Sequence, residues 1–159
     1  MKTMKRLLSM MATLGLLCTA FTLSGCSSDD DNDDPVLVHT LYSGILSVQY
    51  QGQWYETNDA EVVFNLNNGG KTATITMLGV RFVPQMPVTI DVEIPSVQVS
   101  SSGVLSGNNI VPYALGGPYE AYKVTNLTGK VTNLKLELSL NFGEFPTKYI
   151  GSFNPDKLF

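Results

Sequence analysis

The side chains able to do chemistry in this sequence are few: one histidine, two cysteines and fourteen carboxylates. His39 stands alone, and general-base catalysis needs a nucleophile and an orienting group that cannot be picked out around it. It reads as a surface residue at the start of a folded segment. Metal sites need clustered ligands, which here leaves carboxylates only. Asp91 and Glu93 sit two apart on one expected strand and so point to the same face, while Glu56, Asp59 and Glu61 crowd one bend. Carboxylate pairs can run glycosidic acid–base chemistry, but a solvated strand face or loop uses the same residues. No glycine motif follows a strand and opens a helix, so the glycines read as turns rather than a phosphate cradle. The expectation is therefore no catalytic residue, no metal site, no cofactor and no enzyme.

Recognition is the remaining chemistry. Trp54, Phe82, Tyr113 and Tyr119 are the aromatic residues expected at the mouth or lining of a binding site, with plain core or loop packing as their competing use. Two of them fall in Asn108 to Glu120, which holds Pro112, Gly116, Gly117 and Pro118 and reads as the longest loop.

The elements that must position these residues are strands. Leu41 to Tyr50 alternates, Gln51-Gly52 turns, and Gln53 to Thr57 returns as its partner, with Asn58-Asp59 as a bend or bulge. Ala60 to Leu66 follows, and Asn67-Asn68-Gly69-Gly70 closes a hairpin onto Lys71 to Met77. Pro84, Pro87 and Pro95 interrupt the middle, so Val88 to Ile94 and Ser96 to Ser100 are expected as two segments bent at Pro95, or strands near an edge. Gly103 to Gly107 adds a short strand. Ala121 to Val131 is another, and then Leu134, Leu136, Leu138, Leu140 and Phe142 alternate with polar residues. Thr147 to Phe153 closes the chain and resembles the opening Tyr42-Ser43-Gly44, as if first and last strands met. Eight or nine short strands without crossover helices predict an all-β, antiparallel up-and-down barrel of about eight strands, with a β-sandwich as the alternative.

Charge narrows the partners. The chain carries ten Lys and Arg against fourteen Asp and Glu, and five of those acids lie at positions 29 to 34. Lys2, Lys5 and Arg6 fall in the leader, so the folded part is close to neutral and its cations are scattered. Nucleic acid is not an expected partner.

The front of the chain concerns address. A basic start, the uncharged apolar run Leu7 to Leu23 and the small residues Ser24 and Gly25 make a secretory signal over residues 1–25, with an uncleaved transmembrane anchor as the competing reading. Leu23-Ser24-Gly25-Cys26 resembles the lipobox of bacterial lipoproteins, which implies a diacylglycerol on the Cys26 thiol and cleavage before it. Two or more acyl chains make such attachment stable. Cys18 is then discarded and Cys26 spent, leaving the folded part without cysteine. Residues 26–38 form a lipidated acidic spacer, in which Ser28, Asp29, Asp30 and Asp31 resemble the export signal of Bacteroidetes surface lipoproteins. That resemblance implies an outer-membrane, lipid-anchored protein facing the cell exterior. Clustered carboxylates also attract calcium, but the run lacks the ligand spacing of a formed loop. In this setting the glycosylation sequon Asn126-Leu127-Thr128 has no consequence.

Residues 39–159 carry a further resemblance. Leu41-Tyr42-Ser43-Gly44-Ile45-Leu46-Ser47-Val48, Gly52-Gln53-Trp54-Tyr55, Met86-Pro87-Val88 and Tyr149-Ile150-Gly151-Ser152-Phe153, in that order, resemble the calycin-like β-barrel domain of Bacteroidetes lipoproteins. The resemblance implies a lipocalin-related barrel with no assigned activity. Two functions follow from such a module: binding one small apolar or amphipathic ligand, since an eight-stranded barrel is just wide enough for one, or a structural role in which a filled barrel contacts another envelope protein.

Overall fold

The computed structural model describes residues 39–67 and 69–157. The segments expected as a signal, 1–25, and as a spacer, 26–38, with Cys26, Ser28, Asp29, Asp30 and Asp31, lie outside them, as does Asn68 of the expected turn. Ten strands follow in order: β1 (His39–Tyr50), β2 (Gln53–Leu66), β3 (Thr72–Val80), β4 (Ile90–Val99), β5 (Val104–Gly107), β6 (Tyr113–Ala114), β7 (Gly117–Pro118), β8 (Val124–Val131), β9 (Lys135–Phe142) and β10 (Phe145–Phe153). Two single 3-10 turns, Glu120–Tyr122 and Pro155–Lys157, are the helical elements among the described residues.

Eight strands close on themselves. Each neighbour pair in the circuit β1, β2, β3, β4, β5, β8, β9, β10 is antiparallel, and β10 returns to β1 with Gly44 opposite Gly151. Closure removes the open edges of a sheet and rules out the sandwich. The result is an up-and-down barrel compatible with a calycin-like fold. The β6–β7 hairpin is extra: it hydrogen-bonds to β4 from outside the circuit.

Alternation decides which side chains go in. On β9, Leu136, Leu138, Leu140 and Phe142 are buried while Lys135, Glu137 and Ser139 are exposed. The same period of two sends Ala73, Ile75 and Met77 inward on β3. Two bulges reset it. Between Gly44 and Leu46 the register of β1 against β2 slips by one, because Asn58 and Asp59 face the single residue Ile45. At Pro95-Ser96 the inward set steps from Ile94 to Val97, with Ser96 at φ 58°. The expected bend at Pro95 is thus a bulge within one strand.

The seam between first and last strands needs glycine. A Cβ on Gly44 would lie 2.1 Å from the Ile150 carbonyl oxygen, and one on Gly151 would lie 2.1 Å from the Tyr149 hydroxyl. The space is filled instead by the Tyr149 ring, whose hydroxyl donates to the Ala60 carbonyl at 3.3 Å. Tyr42 on the neighbouring strand donates to the Thr132 carbonyl at 2.5 Å. Both phenols are buried, and both have found the partner that burial demands.

Other differences are local. Gln53 to Thr57 and Ala60 to Leu66 form one strand running through the bulge. The segment expected from Ala121 starts as a 3-10 turn, and β8 begins at Val124. Leu134, expected on the inward face of β9, lies before the strand and is 67% exposed. Asn108 to Glu120, expected as a loop, contains the β6–β7 hairpin.

Candidate functional site

The barrel interior is occupied by side chains. Tyr42, Phe64, Ile75, Met77, Ile94, Leu136, Phe142 and Tyr149 are all fully buried within one core. Each large apolar side chain so buried contributes on the order of 2 kcal/mol.

Antiparallel order puts the connections at two ends. The chain enters at His39 beside the turns β2–β3, β4–β5 and β8–β9; the opposite, far end carries the connections 51–52, 81–89, 108–123 and 143–144. Phe82 lies at this far end, where it is buried and forms part of the lining of a pocket of about 230 Å³. Its ring stacks on Tyr122 at 4.6 Å between centroids and meets Phe142 edge-on at 5.1 Å. Tyr122 in turn stacks on Phe145 at 5.7 Å and on Tyr119 at 4.7 Å. These rings form a plug, and offset stacks of this kind add about 1 kcal/mol each beyond the area they bury. Burial in it raises the Tyr122 phenol above its ordinary pKa, with smaller contributions from Tyr119 and Glu144. Of the four expected aromatics, then, the structure brings Phe82 and Tyr119 together through Tyr122.

Trp54 is elsewhere. It is 42% exposed on the outer wall, with the Lys148 ammonium 4.9 Å from its ring centroid. The β2 bulge accounts for this: beyond it the inward residues are Tyr55 and Thr57, opposite Val48 and Leu46, so Trp54 turns outward.

Tyr113 stands apart from all three and marks an open recess of about 700 Å³ on the outer wall. Register builds it. Thr76 on β3 lies opposite Glu93 on β4, Glu93 opposite Tyr113 on β6, and Tyr113 opposite Pro118 on β7. Directly opposed side chains lie about 5 Å apart, so the four make one row across the sheet. Asp91, two residues before Glu93, shares the face and accepts a hydrogen bond at 2.9 Å from the amide of Gly79. Thr89, Ile90, Ala114 and the hairpin residues Leu115-Gly116-Gly117 complete the lining. Tyr113 and Leu115 are 50% and 76% exposed, so the recess offers exposed apolar surface beside two carboxylates and three hydroxyls, those of Thr76, Thr89 and Tyr113 itself. That lining suits a ligand with one apolar and one hydrogen-bonding side.

Sequence reasoning paired Asp91 with Glu93 but missed Thr76, Thr89 and Leu115, because the β6–β7 hairpin that gathers them has strands of two residues and no readable period. The other carboxylate group disperses: Glu61 pairs with Lys157, and Glu56 lies on the outer wall near Lys148. His39 is at the entry end, its Nδ1 against the Asn65 side-chain oxygen. Among the described residues no three His, Cys, Asp or Glu gather as a metal site. Comparison with known proteins adds no assignment: no family model matches the chain, and neither curated proteins nor solved structures give a significant match.

Proposed function

We propose that this chain is a cell-envelope lipoprotein of the Bacteroidetes type, acylated on Cys26 and carried to the outer surface through Ser28 and Asp29 to Asp31. Its barrel is a non-enzymatic recognition module that binds on its wall rather than in its interior. One observation carries this reading: side chains occupy the interior, while the open recess beside Tyr113 lies in the half of the wall away from His39, where the chain enters. The ligand is a small amphipathic molecule, its apolar part against Tyr113 and Leu115 and its hydroxyl or amine groups on Asp91, Glu93 and Thr76. The filled barrel also favours the second reading, contact with another envelope protein.

The test is native mass spectrometry of the protein extracted from its own membrane. A co-purifying amphiphile present in the parent and lost from the doubly substituted Tyr113→Ala, Glu93→Gln protein is the expected result; an adduct that survives both changes places the ligand elsewhere. Labelling with radioactive palmitate tests the anchor, with label expected on the parent and absent from Cys26→Ala. Protease shaving of intact cells tests the address, with exposure lost when Asp29, Asp30 and Asp31 become Ala.

A further inference from the structure

The recess beside Tyr113 carries charge of one sign. Asp91 and Glu93 line it with Thr76, Thr89 and the β6–β7 hairpin, and no Lys, Arg or His stands among the lining residues. Neither carboxylate is neutralised within the protein. The ion pairs among the described residues are Lys123 with Glu120, Lys135 with Glu137 and Lys157 with Glu61, and Asp91 and Glu93 take part in none. Asp91 receives the Gly79 amide on Oδ1, which fixes the group and leaves Oδ2 to a ligand. The cations flanking β3 lie elsewhere. Lys71 precedes the strand at the entry end, and Arg81 lines the gap beside Tyr55 and Glu56, where β2 runs from Gln53 to Asp59 without β3 beside it.

Register determines what fits between these groups. Glu93 is flanked by Thr76 on one neighbouring strand and by Tyr113 on the other, at the separation of about 5 Å that directly opposed side chains have. A cation held on Glu93 is therefore within reach of an aromatic ring, whose quadrupole adds to the attraction. A primary ammonium has three N–H donors and no acceptor, which matches the three acceptors Asp91, Glu93 and Thr76. A neutral alcohol can donate to the same oxygens but gains nothing from their charge, and an anion is repelled by it. The apolar part of the ligand has Leu115 and the Tyr113 ring, both exposed.

We infer that the recess takes an organic cation: a primary amine, protonated at neutral pH, that carries an apolar group. This rests on the recess being the binding site and adds the charge of what it holds. An aminoethyl phospholipid headgroup shares the ammonium but brings a phosphate, for which the lining has no cation, so the free amine is the better match.

Five soluble probes on one phenyl frame test the charge: 2-phenylethylamine, its N,N,N-trimethyl derivative, 2-phenylethanol, 3-phenylpropanoate and 2-aminoethyl phenyl phosphate, the last standing for a phospholipid headgroup. Each is titrated by calorimetry into the full-length protein in a non-ionic detergent. The amine should bind tightest, with the trimethyl derivative about threefold weaker for its lost donors, the alcohol and the phosphate about tenfold weaker, and the propanoate not binding. Raising salt from about 20 to about 200 mM should weaken the amine and leave the alcohol unchanged. Glu93→Gln should weaken the amine about fivefold without affecting the alcohol, while Tyr113→Ala should weaken both. Equal binding of the alcohol, the phosphate or the propanoate, or amine binding indifferent to Glu93→Gln, overturns the inference. If Tyr113→Ala still removes that binding, the recess stands as a site for an uncharged amphiphile and only the cation falls. Amine binding that survives Tyr113→Ala places the ligand elsewhere and removes both readings. Absence of amine binding also overturns the inference, and the recess is then judged by the co-purifying adduct alone.

Discussion

Where the chain enters the barrel, β2 and β3, β4 and β5, and β8 and β9 are joined by the short connections 67–71, 100–103 and 132–134, and core residues such as Phe64 and Leu136 lie close to that end. The far end is made differently. Its connections 81–89 and 108–123 are long, a plug of stacked rings stands in for regular layers, and the exposed apolar residues Trp54, Tyr55, Val88, Tyr113 and Leu115 lie in its half of the molecule, against Val104 and Leu134 near the entry end. The unpaired part of β2 and the recess beside Tyr113 are there too. Tight turns at one end allow the other to depart from regular pairing, because the closed ladder already holds the strands in register. Long connections on a rigid frame are where binding residues accumulate.

Substitutions can break this contrast at points of decreasing severity. Phe64→Ala, near the entry end, should cost about 5 kcal/mol in urea unfolding, because the fully paired strands around it cannot close on the cavity. Phe82→Ala should cost about 3 kcal/mol, the residues of a long connection outside the strand ladder collapsing into part of the space. Hydrogen exchange separates the two beyond their magnitudes: Phe82→Ala should speed exchange in 81–89 and 119–123 only, and a uniform increase would mean that the plug is part of the common core.

The seam belongs to both ends, and Gly44→Ala should cost about 2 kcal/mol there, since the added methyl meets backbone that cannot turn aside. Tyr42→Phe is smaller, about 1 kcal/mol at neutral pH for the lost bond to Thr132. Its pH dependence is more telling. Burial raises the Tyr42 phenol to about 12, partly offset by its hydrogen bond with Thr40, and burial likewise raises Tyr149, helped by Glu61 and Tyr42. Both hydroxyls ionise more readily in the unfolded chain, at about pH 10. The stability they confer is therefore fully present below that pH and is lost as pH rises through 12, where the folded phenol ionises. Unfolding midpoints between pH 9 and 12 should fall for the parent and fall less for Tyr42→Phe, about as expected when one of two such groups is removed. Trp54→Ala, on the exposed wall, should change stability by no more than about 0.5 kcal/mol, the worth of a solvated cation–π contact.

Much of the entry end was legible in the sequence. The inward leucines of β9, the Gly69-Gly70 turn between β2 and β3 and the likeness of Tyr42-Ser43-Gly44 to the closing strand all rest on local pattern, and Gly44 does lie opposite Gly151. Apart from the Gln51-Gly52 turn, the far end was not, for a physical reason. Tyr113–Ala114 becomes a strand through pairing with β4, and Gly117–Pro118 through pairing with Tyr113–Ala114, neither of which local pattern encodes. Phe82 comes from a proline-bearing connection in which an aromatic residue reads equally as lining or plug. The aspect of Trp54 turns on one extra residue at Asn58-Asp59, expected as a bend or bulge, whose effect is to exchange inside for outside in everything beyond it.

The meeting of β1 with β10 also has a temporal side. Among the described residues the first strand to be synthesised waits for the last, since its second partner is β10, Phe145 to Phe153. Until these arrive the sheet has two raw margins and no lid on its greasy lining, a condition that proteases and chaperones detect. A chain broken off before Phe145 would keep both margins open, because no other described strand bridges β1 and β9.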